Sequence, residues 1–207
     1  DQSLEEKVRS LLQLGSLQVG QSSFEDALAS FRLALELDPR SVPALDAEAS
    51  LLGRLGRFEE SAALFSTLVA LRPSSAFARV GEATALIYAQ KHAEARDRLE
   101  EGLVAMPGDI NLRDVLARHL AASPDLSVRD GERAVELARG IYQEFQTPES
   151  IETLAMALAQ DGSFEEAVEW QQRLLERVRE LATAEDRRRL ELNLERYRRS
   201  EACCADL

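Results

Sequence analysis

Lysine is nearly missing from this 207-residue chain. Lys7 and Lys91 are the only two, and arginine carries almost all of the positive charge. Acids still outnumber bases, 37 to 25, which leaves a net charge of −12. A surface of that sign repels phosphate backbones, which argues against nucleic acid as a partner. Cysteine is limited to Cys203 and Cys204. Adjacent cysteines form no disulfide framework and lack the spacing of common zinc sites, so no metal is expected there. The two histidines, His92 and His119, stand far apart, with neither an HExxH motif nor a cysteine nearby. Structural roles are expected of both rather than metal binding or catalysis. No apolar run approaches the ~18 residues of a membrane-spanning helix, so no membrane insertion is expected. Also missing are a glycine-rich phosphate loop, a Ser-His-Asp order and an acidic metal cluster, so neither a cofactor nor an enzymatic activity is expected. No signal peptide is visible and the chain starts at Asp1 without a methionine, which predicts a processed form or an excised piece.

Aromatic residues make up only 5% of the chain against 45% hydrophobic overall, so the core must come from alanine and leucine. Glycine (ten) and proline (six) are also sparse. A chain rich in Ala, Leu, Glu and Arg with few helix breakers is all-helical. Arginine in place of lysine hints at a GC-rich bacterial source.

The clearest pattern lies in residues 42–73. Leu45, Glu48, Ala49 and Leu52 recur at helical spacing, and so do Phe58, Ser61, Ala62, Phe65, Leu68 and Leu71. Gly56 joins the two segments, and Pro73 stops the second because it lacks an N–H and disfavours helix before it. Neither helix can bury its stripe alone. Copies follow at a fixed period: Pro39, Pro73 and Pro107 are evenly spaced along the chain. That even spacing is the repeat length of one known helix-pair architecture. Small residues recur in pairs, Gly15 and Ala27, Ala49 and Ser61, Ala83 and Ala95, and aromatics stand at Phe24, Phe31, Phe58 and Phe65. With that period, the pattern resembles the tetratricopeptide repeat family, which implies that the small pairs mark where paired helices cross.

Five repeats are predicted as one domain over residues 1–207, at about 4–39, 42–73, 76–107, 109–146 and 147–181. A capping helix follows at 183–200. Ser3 with Glu6, Ser23 with Asp26, Ser127 with Asp130, Ser163 with Glu166 and Thr183 with Asp186 are candidate helix starts. Gly20 is predicted to break the first helix. In the third repeat His92 and Leu99 replace the aromatics, and Gly102 weakens the second helix. The fourth departs from the pattern: Ala117 and Ala134 stand farther apart than Ala49 and Ser61 do, so extra residues fall in the 123–131 loop. There Asp130 is expected to cap a helix and Arg129 to pair locally. Thr147 and Pro148 open the fifth repeat, and Gln171 takes a position where a large apolar side chain is usual, beside Trp170.

The resemblance implies an all-α, right-handed superhelix (an α-solenoid) whose first helices line a concave groove. It implies a scaffold that binds a peptide or helical segment of a partner protein there. Its alternative is an accessory or regulatory module of a larger enzyme. The lining positions fall on Leu12, Ser16, Asp46, Ser50, Val80, Thr84, Tyr88, Asp114, Arg118, Glu152 and Met156. The Lys and Asn of relatives that clamp a terminal carboxylate are absent from them. Thr84, Tyr88, Asp114, Arg118, Glu152 and Met156 are the candidate partner-binding residues. Tyr and Arg dominate many interfaces, Met adapts to irregular apolar surfaces, and Arg118 could fix an acidic group.

Overall fold

The computed structural model describes residues 2–202. Among them are eleven α-helices and no strand. They are α1 (Gln2–Gly20), α2 (Phe24–Leu37), α3 (Val42–Arg54), α4 (Phe58–Leu71), α5 (Ala76–Tyr88), α6 (His92–Ala105), α7 (Ile110–Ala122), α8 (Gly131–Glu144), α9 (Pro148–Gln160), α10 (Phe164–Arg177) and α11 (Ala184–Arg198). Cys203 and Cys204 lie outside the described residues. The chain forms two compact units, Asp1–Arg98 and Leu99–Leu207, with the boundary inside α6.

In the first unit each helix packs on the next through its predicted stripe. Ala27, Leu28 and Phe31 of α2 meet Leu51 and Leu52 of α3. Leu45 and Ala49 of α3, Phe65 and Leu68 of α4 and Ala78 of α5 form the next cluster. Where α3 and α4 cross, the buried Ser61 hydroxyl donates to the Ala49 carbonyl at 2.8 Å. Two glycines let phenylalanine rings rest on helix backbone. A Cβ at Gly15 would come within 2.3 Å of the Phe31 ring, and one at Gly81 within 2.6 Å of the Phe65 ring. The buried Glu48 carboxylate is met by Arg32 Nε at 2.8 Å, as a buried charge requires.

The turns between paired helices recur with the repeat. Ser22, Gly56 and Gln90 adopt φ of 60°, 75° and 61°, each one repeat after the last. A left-handed residue is therefore built into every such turn of this unit, although glycine supplies it only once. As expected, α1 ends at Gly20, its last helical residue, and Ser22 makes the turn. Ser3 lies inside α1 rather than ahead of it. Ser23 is the N-cap of α2 and Ser163 that of α10, but neither side chain makes the capping bond, because both backbones leave the extended region that aims a hydroxyl at the helix.

In the second unit Asp109 caps α7 by accepting from Leu112 N–H, and Asp130 caps α8 by accepting from Arg133 N–H. Ser127 takes no part in that cap; its hydroxyl and its N–H both bond Asp125 instead. Arg129 Nε donates to the Ser123 carbonyl at 2.7 Å and its Nη1 to Gln160. A Cβ at Gly131 would lie 2.6 Å from the Asp161 backbone, so only glycine fits there. The Arg-Asp-Gly stretch is thus a structural clasp on the end of α9. Thr147 and Ser150 form a full capping box with Pro148 in the first turn. Ile151 of α9, Leu174 of α10 and Leu190 of α11 share one buried cluster. Fully buried Gln171 donates from Nε2 to the Leu190 carbonyl at 2.8 Å. That bond is why an amide occupies a position where the repeat pattern favours bulk.

Candidate functional site

The first unit carries a groove of about 540 Å³ over α4, walled by α3 and α5. Its walls come from the first helices of two successive repeats and its floor from the second helix between them. Phe65 lies on the floor, 6% exposed. Phe77 stands over it edge-on, ring centroids 5.9 Å apart and interplanar angle 71°. At the other end Tyr88 stacks on Phe58 at 5.1 Å and 20°. Such offset and edge contacts are the favoured aromatic geometries. Phe77 is 59% and Tyr88 48% exposed, so both rings offer a free face. The chain has seven Phe, three Tyr and one Trp, and four of those rings line this one groove. Small residues, Ser50, Gly53 and Gly81, keep it open between the rings.

The polar groups here are few. Ser61 is tied to Ala49 and the Ser50 hydroxyl to Asp46 at 3.2 Å. Thr84 and Arg54 complete the lining. The Arg54 guanidinium lies 5.4 Å from the centre of the Phe24 ring, a cation–π contact.

Of the six predicted residues, Thr84 and Tyr88 line this groove. The other four sit in the second unit, Asp114 and Arg118 on α7 and Glu152 and Met156 on α9. Arg118 Nε donates to Thr153 Oγ1 at 3.0 Å and lies 3.4 Å from the Asp114 carboxylate; its Nη2 is 3.4 Å from Glu152. Thr153 in turn donates to Asp114 at 2.7 Å. Arg189 of α11 pairs with the other Glu152 oxygen. Two guanidinium groups and two carboxylates thus neutralise one another across three helices. Arg118 is not poised to fix an incoming acid, because two carboxylates already hold it. Met156 is 5% exposed, so it packs in the core rather than facing a ligand.

Sequence reasoning missed Phe77 and Arg54. Each had a signal. Phe77 is a large ring off the buried stripe, and Arg54 holds, one repeat earlier, the position that Tyr88 holds.

The family model described as tetratricopeptide repeat matches residues 6–76 and 47–110. The chain belongs to the tetratricopeptide repeat (TPR) family. TPR arrays are protein-interaction modules, and the all-α fold here is that of TPR solenoids. MamA (residues 41 to the end) from Desulfovibrio magneticus RS-1 superimposes with a TM-score of 0.71 at 17% identity, covering 86% of this chain and 98% of that one. TTC0263, a TPR protein of Thermus thermophilus, gives 0.61 at 20% identity over 93% and 98%. YrrB, described as a TPR protein with an unusual peptide-binding site, gives 0.68 at 15% identity over 93% of each chain. At these identities the likeness is one of fold. No curated protein matches by sequence. Among the described residues no helix is long and apolar enough to cross a membrane, and no group of three or more His, Cys, Asp or Glu side chains could hold a metal ion.

Proposed function

We propose that this chain is a non-catalytic interaction scaffold and that the α3–α5 groove holds a short segment of a partner protein. One observation carries the reading: an aromatic-poor chain gathers four rings around a single open groove and leaves two of them half-exposed. Half-exposed Tyr and Phe over a formed apolar floor cost little entropy to engage and bury much area when covered. The peptide-binding site named for YrrB is consistent with this use of the fold. An accessory module of a larger enzyme would use the same groove, its partner then being the catalytic domain.

The test is site-specific crosslinking. A photoreactive phenylalanine analogue at Thr84 should yield a discrete adduct with one polypeptide. The adduct should disappear in the Phe77→Ala/Tyr88→Ala background. The same analogue at exposed Arg139 on α8 should yield none. An adduct that survives the double substitution would place the binding surface elsewhere.

A further inference from the structure

We infer that the α3–α5 groove selects a segment carrying a large apolar or aromatic anchor and, a few residues away, a carboxylate that Arg54 receives. The inference rests on the groove reading and adds the chemistry of its occupant.

The anchor follows from the lining. Phe58, Phe65, Phe77 and Tyr88 supply ring surface, and the Ser50 and Ser61 hydroxyls are spent on neighbours of their own helix pair. A polar side chain entering between the rings would lose water and find little in return. An apolar one gains roughly 25 cal/mol for each Å² it removes from water.

The carboxylate follows from what remains uncommitted. Among the described residues Arg54 is the one charged side chain of the lining, and it has no carboxylate partner. Arg32, Arg57, Arg96, Arg98, Arg113, Arg118, Arg133, Arg139 and Arg189 all lie within 4.0 Å of an acid. Arg54 instead rests on the Phe24 ring, which steadies the guanidinium without neutralising it. A stacked guanidinium keeps its edge N–H groups free, and a carboxylate fits them with two parallel bonds. The Thr84 hydroxyl, also without a hydrogen-bond partner among the described residues, offers a second donor on the opposite wall. The chain's charge of −12 works against an acidic ligand at long range. That field is screened beyond about 8 Å at physiological salt, whereas contact with Arg54 is not. Specificity therefore belongs to one short-range contact.

Spacing fixes the motif. Arg54 and Tyr88 hold the same position in successive repeats, at the ends of α3 and α5. Packed helix axes lie about 8–10 Å apart. An extended segment advances about 3.3 Å per residue. The acid should therefore stand about two to four residues from the anchor.

The test is peptide selection against the whole chain. A randomised twelve-residue display library is enriched on wild type and, separately, on Arg54→Glu. Wild type is expected to enrich Trp, Phe, Tyr or Leu with Asp or Glu two to four residues away. Arg54→Glu should enrich the same anchors with Lys or Arg at that offset. For the best wild-type peptide, changing its acid to the amide should weaken binding at least tenfold in fluorescence anisotropy. The same change should matter less than twofold to Arg54→Gln. Anchors enriched with no charge at a fixed offset would overturn this inference and leave the groove reading intact. No enrichment that depends on Tyr88 and Phe77 would overturn both.

Discussion

Phe65 and Gly81 should behave as one unit when mutated. Alanine at position 81 has two opposed effects. In the middle of α5 it is about 1 kcal/mol better than glycine as a helix former. Its Cβ, however, would lie 2.6, 2.7 and 2.8 Å from three carbons of the Phe65 ring. The ring is 6% exposed, wedged in a packed cluster, and has to shift to relieve the overlap. Forcing a methyl into such a site costs about 1–3 kcal/mol. Gly81→Ala alone should therefore be neutral to about 2 kcal/mol destabilising. Phe65→Ala alone should cost about 3–5 kcal/mol through lost burial and the cavity left behind. In that background the overlap is gone, the new methyl fills part of the void, and Gly81→Ala should stabilise by about 1 kcal/mol. The sign of the substitution reverses. The resulting coupling of about 1–3 kcal/mol exceeds the roughly 0.5 kcal/mol within which independent sites add. Urea titrations of wild type, both single variants and the double variant, followed by helical circular dichroism, measure it. If Gly81→Ala has the same effect in both backgrounds, the ring does not rest on that backbone.

Three further outcomes follow from the geometry. Ser22→Gly should raise stability by about 0.5–1 kcal/mol and Gly56→Ala should lower it by about 1 kcal/mol, because both residues sit at positive φ; opposite shifts in thermal midpoint would check the pair. Gln171→Met should stabilise by about 1 kcal/mol, since the Gln171 Oε1 is buried without a hydrogen-bond partner; a lower urea midpoint would count against it. The hydrogen bonds from Arg113 hold the Glu144 carboxyl below its usual value, and the Thr183 hydroxyl does the same for Asp186. A carboxyl lowered in the folded state stabilises fully above the ordinary range and loses that contribution as pH falls through the lowered value. Stability should thus fall on acidification below about pH 4, and Thr183→Val should flatten that fall while costing about 1 kcal/mol at neutral pH.

Helix order and the paired architecture were legible in the sequence because a fixed period multiplies weak local signals. One amphipathic stripe is ambiguous, but a stripe repeated with its proline stop is not. Residues whose role is set inside a single helix pair, such as Ala49 with Ser61 or Thr147 with Pro148, behave as expected. What stayed illegible depends on neighbours two helices away. Nothing near Met156 in sequence shows that its thioether faces inward. Arg118 has Asp114 one turn before it, yet Glu152 and Arg189 come from α9 and α11. Arg54 was overlooked because its meaning lies in a missing acid, and only coordinates show which arginines are already paired. The turn at Ser22 hid for a different reason: serine tolerates a left-handed φ without advertising it as glycine does.

The amide of Gln171 has a consequence for how α11 is held. Leucine-lined helix faces look much the same after a slide of one turn, about 5.4 Å, because one branched side chain replaces another. Apolar contact alone therefore sets how firmly α11 adheres but poorly sets where along its length it stops. An amide hydrogen bonded to the Leu190 carbonyl, buried away from water, works as a detent. A seating displaced by part of a turn leaves a buried N–H with no acceptor, so the intermediate alignments are penalised rather than the right one merely rewarded. The same amide that makes the Gln171 site less stable than methionine would make it, through its unpaired Oε1, holds the helix in register through its Nε2.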